Sequence, residues 1–323
     1  MATAPRRRFV DPHHHFFDPI SAPELHATLA SVGQVAAHLP ADYAADFVGS
    51  PLELVKSVHV EALPDGGLEE VEFLERLRSE GACDHLAAIV ASCDLSQPTA
   101  QDALRTLKRR SDRIRGVRWI TNFSGEIQEG EAPIASRATW PRVARDFSAD
   151  PQFEAGLALL PSVGFSFDLQ ANPEQLRRWS EVLARHPDVP TVLDHVGSLR
   201  FLAGDGESDA EQLATWRDGM KALSALPHVF VKLSMLGYSI PNWHDVDADP
   251  RKGELARQIV LETIEMFSPQ RCMFATNWPV DGESGLRGPF MLSKYCEWVA
   301  HLSEDDQDAL FAGTAERFYR IGD

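Results

Sequence analysis

The segment DPHHHFFD places His13 and His15 two residues apart. On an extended strand, residues i and i+2 point the same way, so both imidazoles can converge on one metal ion or one substrate, while His14 faces the other side. A histidine-rich turn that only hydrogen-bonds backbone has the same spacing. A purification tag does not fit, because only three histidines occur and they lie between Asp-Pro and Phe-Phe. His195 follows Asp194 directly after the apolar pair VL. A third imidazole at another strand end can complete a metal site or polarise a substrate carbonyl; the other reading is a buried ring satisfied by backbone. Arg118 sits inside GVRWI, where a guanidinium needs an anionic partner. It is either a clamp for a substrate carboxylate or one half of an internal ion pair with Glu61 or Asp94. Lys232 in VFVKLS has the same two readings, and a lysine can also extend its amine out of the strand end. Glu61 and Asp168 read as structural or substrate-orienting, and Asp168 can also initiate the turn before Pro173. Trp278, Phe16, Phe17, Trp119 and Phe165 can wall a small pocket, or simply pack.

Residues so far apart need a frame that gathers them. Short apolar runs alternate with helical patterns along the chain: 9–10, 54–60, 85–92, 114–120, 162–169, 190–196, 229–236 and 271–278. Most are continuous rather than alternating, as strands buried on both faces require. Between them, Leu68, Val71, Leu74 and Leu77 share one helical face, with Gly81 as the C-terminal cap. Asn172 can cap a helix that opens with Pro173, and Ser303 can cap the last amphipathic stretch. Eight strands alternating with about eight helices in 323 residues is the arithmetic of a (β/α)8 barrel. A doubly wound sheet is the alternative, but no glycine-rich phosphate loop follows any early strand. The irregular stretches near 17–50 and 120–150 read as insertions over one mouth, and no linker divides residues 1–323, which predicts a single domain. In a barrel, chemistry sits at the C-terminal ends of the strands, where nearly all the polar residues named above fall.

Composition narrows the classes. Lysine and arginine total 31 against 48 acidic residues, a formal charge of −17, which repels a phosphate backbone and argues against nucleic-acid binding. No apolar run reaches the roughly 18 residues of a membrane span. The four cysteines form no CxxC pair and read as reduced thiols, and no signal peptide is visible in MATAPRRRFVDP, so a cytoplasmic location is expected. The expected partner is a small-molecule substrate; a homo-oligomer is compatible with the sequence.

The ordered set DPHHHFFD, GVRWI, FSFDLQANPEQL, VLDHVG, VFVKLSML, RCMFATNWPVD and GTAERFYRI, spanning about residues 9 to 321, resembles the amidohydrolase superfamily. Within it the chain is similar to the TIM-barrel hydrolases that include sugar-acid lactonases and 2-pyrone-4,6-dicarboxylate lactonase. The resemblance implies a distorted (β/α)8 TIM barrel and hydrolysis of a lactone by attack of water on a polarised carbonyl. It implies that His13 and His15 hold a divalent ion, with His195 lining the site. It also implies an aspartate at the end of strand eight that takes the proton from water. Here that position is Asn277, in TNWPV where relatives commonly read SDWPV, and an amide is neither a general base nor a good ligand. The lysine or histidine that bridges two metals in relatives has no match on strand four or five, so the expected cofactor is one zinc or manganese ion, or none. Asp281, four residues past Asn277, is the nearest spare carboxylate and the candidate substitute base; the other reading is a loop carboxylate capping the Gly282 turn.

The leading expectation is a hydrolase of a small carboxylated or polyhydroxylated lactone. His13, His15 and His195 polarise the carbonyl, directly or through one ion. Arg118, Glu61, Lys232 and Trp278 contact the substrate, and Asp281, or a water held by Asn277, completes the attack. A non-hydrolytic superfamily member such as a decarboxylase, or a ligand-binding pseudoenzyme that lost the strand-eight aspartate, are the alternatives.

Overall fold

Strands buried on both faces must be apolar along most of their length, and each of the eight apolar runs contributes a strand. The computed structural model describes residues 6–124, 140–245, 247–283 and 285–322. The strands are β1 (Arg7–His14), β2 (Leu52–Val60), β3 (Leu86–Ser92), β4 (Ile114–Ile120), β5 (Ser166–Gln170), β6 (Thr191–Leu193), β7 (Val229–Leu233) and β8 (Cys272–Phe274). All pair in parallel and in chain order, with helices between them, in a nearly closed (β/α)8 barrel. The seam between β1 and the end of β8 is closed by two backbone bonds. Asn277 N–H donates to the His13 carbonyl (2.9 Å) and His15 N–H to that of Trp278 (2.8 Å). Asp11 locks the same seam, accepting from the Thr276 amide (3.0 Å), the Thr276 hydroxyl (2.5 Å) and the Tyr43 hydroxyl (2.7 Å).

Several strand limits differ from the sequence reading. β1 runs from residue 7 to 14 because Pro12 is absorbed in an irregular stretch, where the register against β2 slips between Asp11 and His14. β6, β7 and β8 stop short because the chain leaves the sheet through residues of positive φ: His195 (59°), Met235 (59°) and Asn277 (52°). The run at 162–169 begins in a short helix, Leu160–Val163, capped by Gly164 at φ 71°.

The helices follow their caps. Gly67–Ser79 buries Val71 and Leu74 and is followed by Gly81 at φ 74°. Pro173–Leu183 carries the Asn172–Gln175 capping box, and the side chain of Ser303 accepts from the Asp306 amide. The chain's last helix, Thr314–Tyr319, sends Ala315, Phe318 and Tyr319 against Val10, Val58, Val90, Val192 and Met273 in the barrel interior. The expected insertion at 17–50 carries two short helices, Ala27–Ser31 and Pro40–Asp46. The expected insertion near 120–150 falls largely outside the described residues. The four cysteines are unpaired thiols. No helix among the described residues is long and apolar enough to cross a membrane.

Candidate active site

The strand ends gather His13, His15, Asp194 and His195 in one place. His13 and His15 share a face, as the alternation of a strand demands, and their Nε2 atoms stand 3.2 Å apart. His14 points the other way, to the Ser57 hydroxyl (3.0 Å) and the face of Tyr43. His15 bonds the Val60 carbonyl through Nδ1 (2.7 Å), which makes that nitrogen the donor and leaves a lone pair on Nε2. His195 pairs its Nδ1 with the Ser234 hydroxyl (2.9 Å), and its ring centre is 4.5 Å from that of His13. Burial holds all three imidazoles neutral: His13 and His15 well below their ordinary range, with nearby cations adding to the effect, and His195 at about 3. Neutral imidazole is the form that ligates a metal.

Donor atoms of His13, Asp194 and His195 lie within 4.8 Å of one another. Two nitrogens bound to one tetrahedral zinc at about 2.0–2.1 Å sit roughly 3.3 Å apart, close to the separation of the His13 and His15 Nε2 atoms. The Asp194 carboxylate is fully buried, with Lys232 Nζ 3.0 Å from one oxygen and a terminal nitrogen of Arg118 3.6 Å from the other. Burial pushes the Asp194 carboxyl up, but Lys232, His195 and Arg118 outweigh it and hold it below its ordinary value, so it is ionised. An ionised carboxylate among neutral imidazoles is a donor set that suits a divalent cation.

The predicted cations are both committed to internal pairs. Arg118 donates from Nε to Glu61 Oε1 (2.8 Å), from one terminal nitrogen to the Glu61 carbonyl, and from the other to Gln170 Oε1 (3.0 Å). Of the two readings, the internal ion pair holds, and its partner is Glu61. Asp94 instead accepts from Ser96 and Gln97 in its own turn. Lys232 does not extend out of its strand. Its Nζ is buried behind the histidines, 2.5 Å from Asp168, 3.0 Å from Asp194 and 3.1 Å from His13 Nδ1. Asp168 therefore faces the barrel interior instead of starting a turn. It also accepts from the Tyr319 hydroxyl (2.8 Å), and burial pushes it up to about 6 against the pull of Lys232.

A small cavity opens above this floor, about 50 Å³, room for a few waters. His15, Gln34, Arg118, Gln170, His195 and Asn277 form its polar part. Glu61 and Trp278, expected to contact substrate, do not line it; Trp278 packs edge-on against Phe16 and Tyr43. Nor does Asp281. Its carboxylate accepts the backbone amides of Met235 (2.9 Å) and Gly237 (3.1 Å), with Asn277 beside it, and burial raises it to about 7. Asn277 is what faces the cavity. His195, Met235 and Asn277, the three residues of positive φ that end β6, β7 and β8, all line it, an arrangement that concentrates backbone strain at one place.

The sequence reading missed Gln170, which lines the cavity and orders Arg118, although it lies two residues after Asp168 on the same face of β5. It also missed Asp194 as a metal donor and Tyr319 as a partner of Asp168.

The amidohydrolase family model matches residues 10–321. The L-fucono-1,5-lactonase of Burkholderia multivorans is 32% identical over 265 residues, 79% of this chain and 78% of that protein. A crystal structure of an amidohydrolase from B. multivorans with bound zinc is 27% identical, with a TM-score of 0.72 over 98% of this chain and 100% of that one. A probable 2-pyrone-4,6-dicarboxylic acid hydrolase from Acinetobacter baumannii, 14% identical, shares the fold at a TM-score of 0.68 over 97% of this chain and 99% of that one. The similarity spans almost the whole barrel. The chain belongs to the amidohydrolase family.

Proposed function

We propose that this enzyme hydrolyses a small lactone at the floor formed by His13, His15, Asp194 and His195. The convergence of three neutral imidazoles and one ionised carboxylate from opposite strands of the barrel carries the reading. The lactonase relative and the zinc in the related amidohydrolase structure support it. His13, Asp194 and His195 would hold one divalent ion, zinc or manganese, with His15 beside them. When bound, that ion polarises the lactone carbonyl and makes water a stronger acid. Asp194 does not itself line the cavity; kept ionised by Lys232 and Arg118, it would act as base on a water seated below it, between His13 and His195. Asn277 bounds the cavity where relatives carry an aspartate and orients water without accepting its proton. Asp281 holds the strained turns at Met235 and Asn277 in place. Arg118 fixes Glu61, Gln170 and the rim of the cavity instead of clamping substrate.

The test is acid release from a panel of γ- and δ-lactones, followed with a pH indicator. It uses enzyme stripped by chelator and then supplied with zinc or manganese, with elemental analysis of the metal retained. About one ion per chain, activity that returns with it, and loss of the ion in His13→Ala and His195→Ala are expected. Full turnover by metal-free enzyme would remove the ion from the scheme. No turnover of any lactone would refute the function.

A further inference from the structure

The walls of the cavity differ in chemistry from its floor. Above the histidines, the described residues that line it include Phe17, Leu29, Leu63, Ile120, Trp140 and Val280. Most of these form a hydrophobic cluster of their own, separate from the two larger clusters of the fold. The loop after β1 gives Phe17 and Leu29, the loop after β2 gives Leu63, and the end of β4 gives Ile120. Leu63 sits at φ 51°, a conformation costly for a leucine, and three bonds hold it there. Its amide donates to Glu61 Oε2 (2.9 Å), and Arg142 donates to the carbonyls of Leu63 (3.1 Å) and Pro64 (2.8 Å). The fold thus spends strain on placing an aliphatic side chain at the mouth of the site.

Charge points the same way. A substrate carboxylate needs a cation with a free donor, and a sugar needs several hydroxyl partners on the walls. Three of the five N–H donors of Arg118 go to Glu61 and Gln170, its charge is paired with Glu61, and Lys232 is buried among Asp168, Asp194 and His13. Among the described residues, the polar side chains that reach the cavity are His15, Gln34, Arg118, Gln170, His195 and Asn277, and the rest of its lining is apolar.

From this we infer that the substrate is a neutral lactone carrying a hydrocarbon substituent, and that a carboxylated or polyhydroxylated one is disfavoured. The inference rests on the lactone-hydrolase reading and names the substrate within it. Water adds to the lactone carbonyl, the ring C–O bond breaks, the ring oxygen leaves with a proton, and a hydroxy acid with an apolar tail is released.

The experiment compares kcat/KM of metal-loaded enzyme on δ-valerolactone, δ-nonanolactone and D-glucono-1,5-lactone. Burying an alkyl chain against these walls predicts δ-nonanolactone ahead of δ-valerolactone by about tenfold or more, with the hydroxylated lactone slowest. Leu29→Ser and Leu63→Ser should each reduce the alkyl-over-unsubstituted ratio, and competitive inhibition by 5-hydroxynonanoate should weaken in step. A preference for the hydroxylated lactone overturns the inference and leaves lactone hydrolysis standing. Absence of turnover on all three, with metal bound, overturns both.

Discussion

Replacing Arg118 by methionine separates an internal ion pair from a substrate clamp. The substitution removes the bonds from Arg118 to the side chain and carbonyl of Glu61 and to Gln170. It leaves Glu61 as a carboxylate that is 2% exposed, with the Leu63 amide still donating to it. Breaking a buried pair on one side costs about 3–5 kcal/mol. Summing the lost bonds at about 1.5–3 kcal/mol each gives an upper limit somewhat above that. Against a total stability of about 5–15 kcal/mol, the loss is large enough to read by urea unfolding. Its pH dependence has a definite sign. Burial already raises Glu61, and without Arg118 it rises further, so the folded variant binds a proton that the unfolded chain releases near pH 4.5. The variant's stability is therefore best at low pH and falls as pH rises through the folded value, and its deficit against the parent is larger at pH 8 than at pH 5.5. Adding Glu61→Gln removes the stranded charge, and a double-mutant cycle should return a coupling of about 2 kcal/mol or more. An Arg118→Met protein within about 1 kcal/mol of the parent, with only the KM for anionic lactones raised, would refute this reasoning and restore the clamp.

Lys232→Met strands Asp168 and Asp194 together and should cost about 3–5 kcal/mol at pH 8, less at pH 5 where Asp168, already at about 6, is protonated; equal losses at both pH values would contradict the buried pairing. Asp194→Asn should abolish turnover, whereas Asp281→Asn should lower kcat without moving the acidic limb of the pH–rate profile; disappearance of a limb near pH 7 in Asp281→Asn would make Asp281 the base. Acid should destabilise the whole protein. His13, His14, His15 and His195 stay neutral when folded but take protons near pH 6.5 when unfolded, which costs stability as pH falls. Asp11, Asp168 and Asp281, raised to about 6, 6 and 7, oppose this. Counting also His26 and His228 on one side and Asp46 and Glu61 on the other, lowered imidazoles outnumber raised carboxyls by six to five, so stability should fall as pH drops below 6.5. A denaturation midpoint that rises between pH 7 and 5 would reverse that balance.

The barrel was legible because its strands are buried on both faces, and the core admits little but aliphatic side chains along them. What was not legible is where each strand ends. Nothing in VLDHV or KLSML singles out His195 or Met235 as a residue of positive φ, and Asn277 only tolerates that conformation better than most. The conformation is imposed by the barrel: the Asp281 carboxylate pins the amides of Met235 and Gly237, and the His13 carbonyl pins that of Asn277. Local propensity cannot report a constraint whose other half lies more than 40 residues away.

The same asymmetry governs the site. Periodicity alone placed His13 and His15 on one face, because two residues of one strand suffice to decide it. Arg118 and Lys232 were each legible as cations that needed an anion, but not as to which one. The choice depends on which strands the barrel sets side by side and on what fills its interior. Register puts Arg118 opposite Asp168, yet its side chain goes to Glu61 just after β2, because Lys232 from β7 already occupies Asp168 and Asp194. Lysine can extend toward solvent only where there is a free end to reach. Here the last helix of the chain sends Phe318 and Tyr319 into the barrel and sets the Tyr319 hydroxyl on Asp168. The ammonium is therefore held among the carboxylates behind His13. That placement keeps Asp194 ionised between two histidines, so the base proposed for the reaction depends on the helix Thr314–Tyr319, which touches neither histidine.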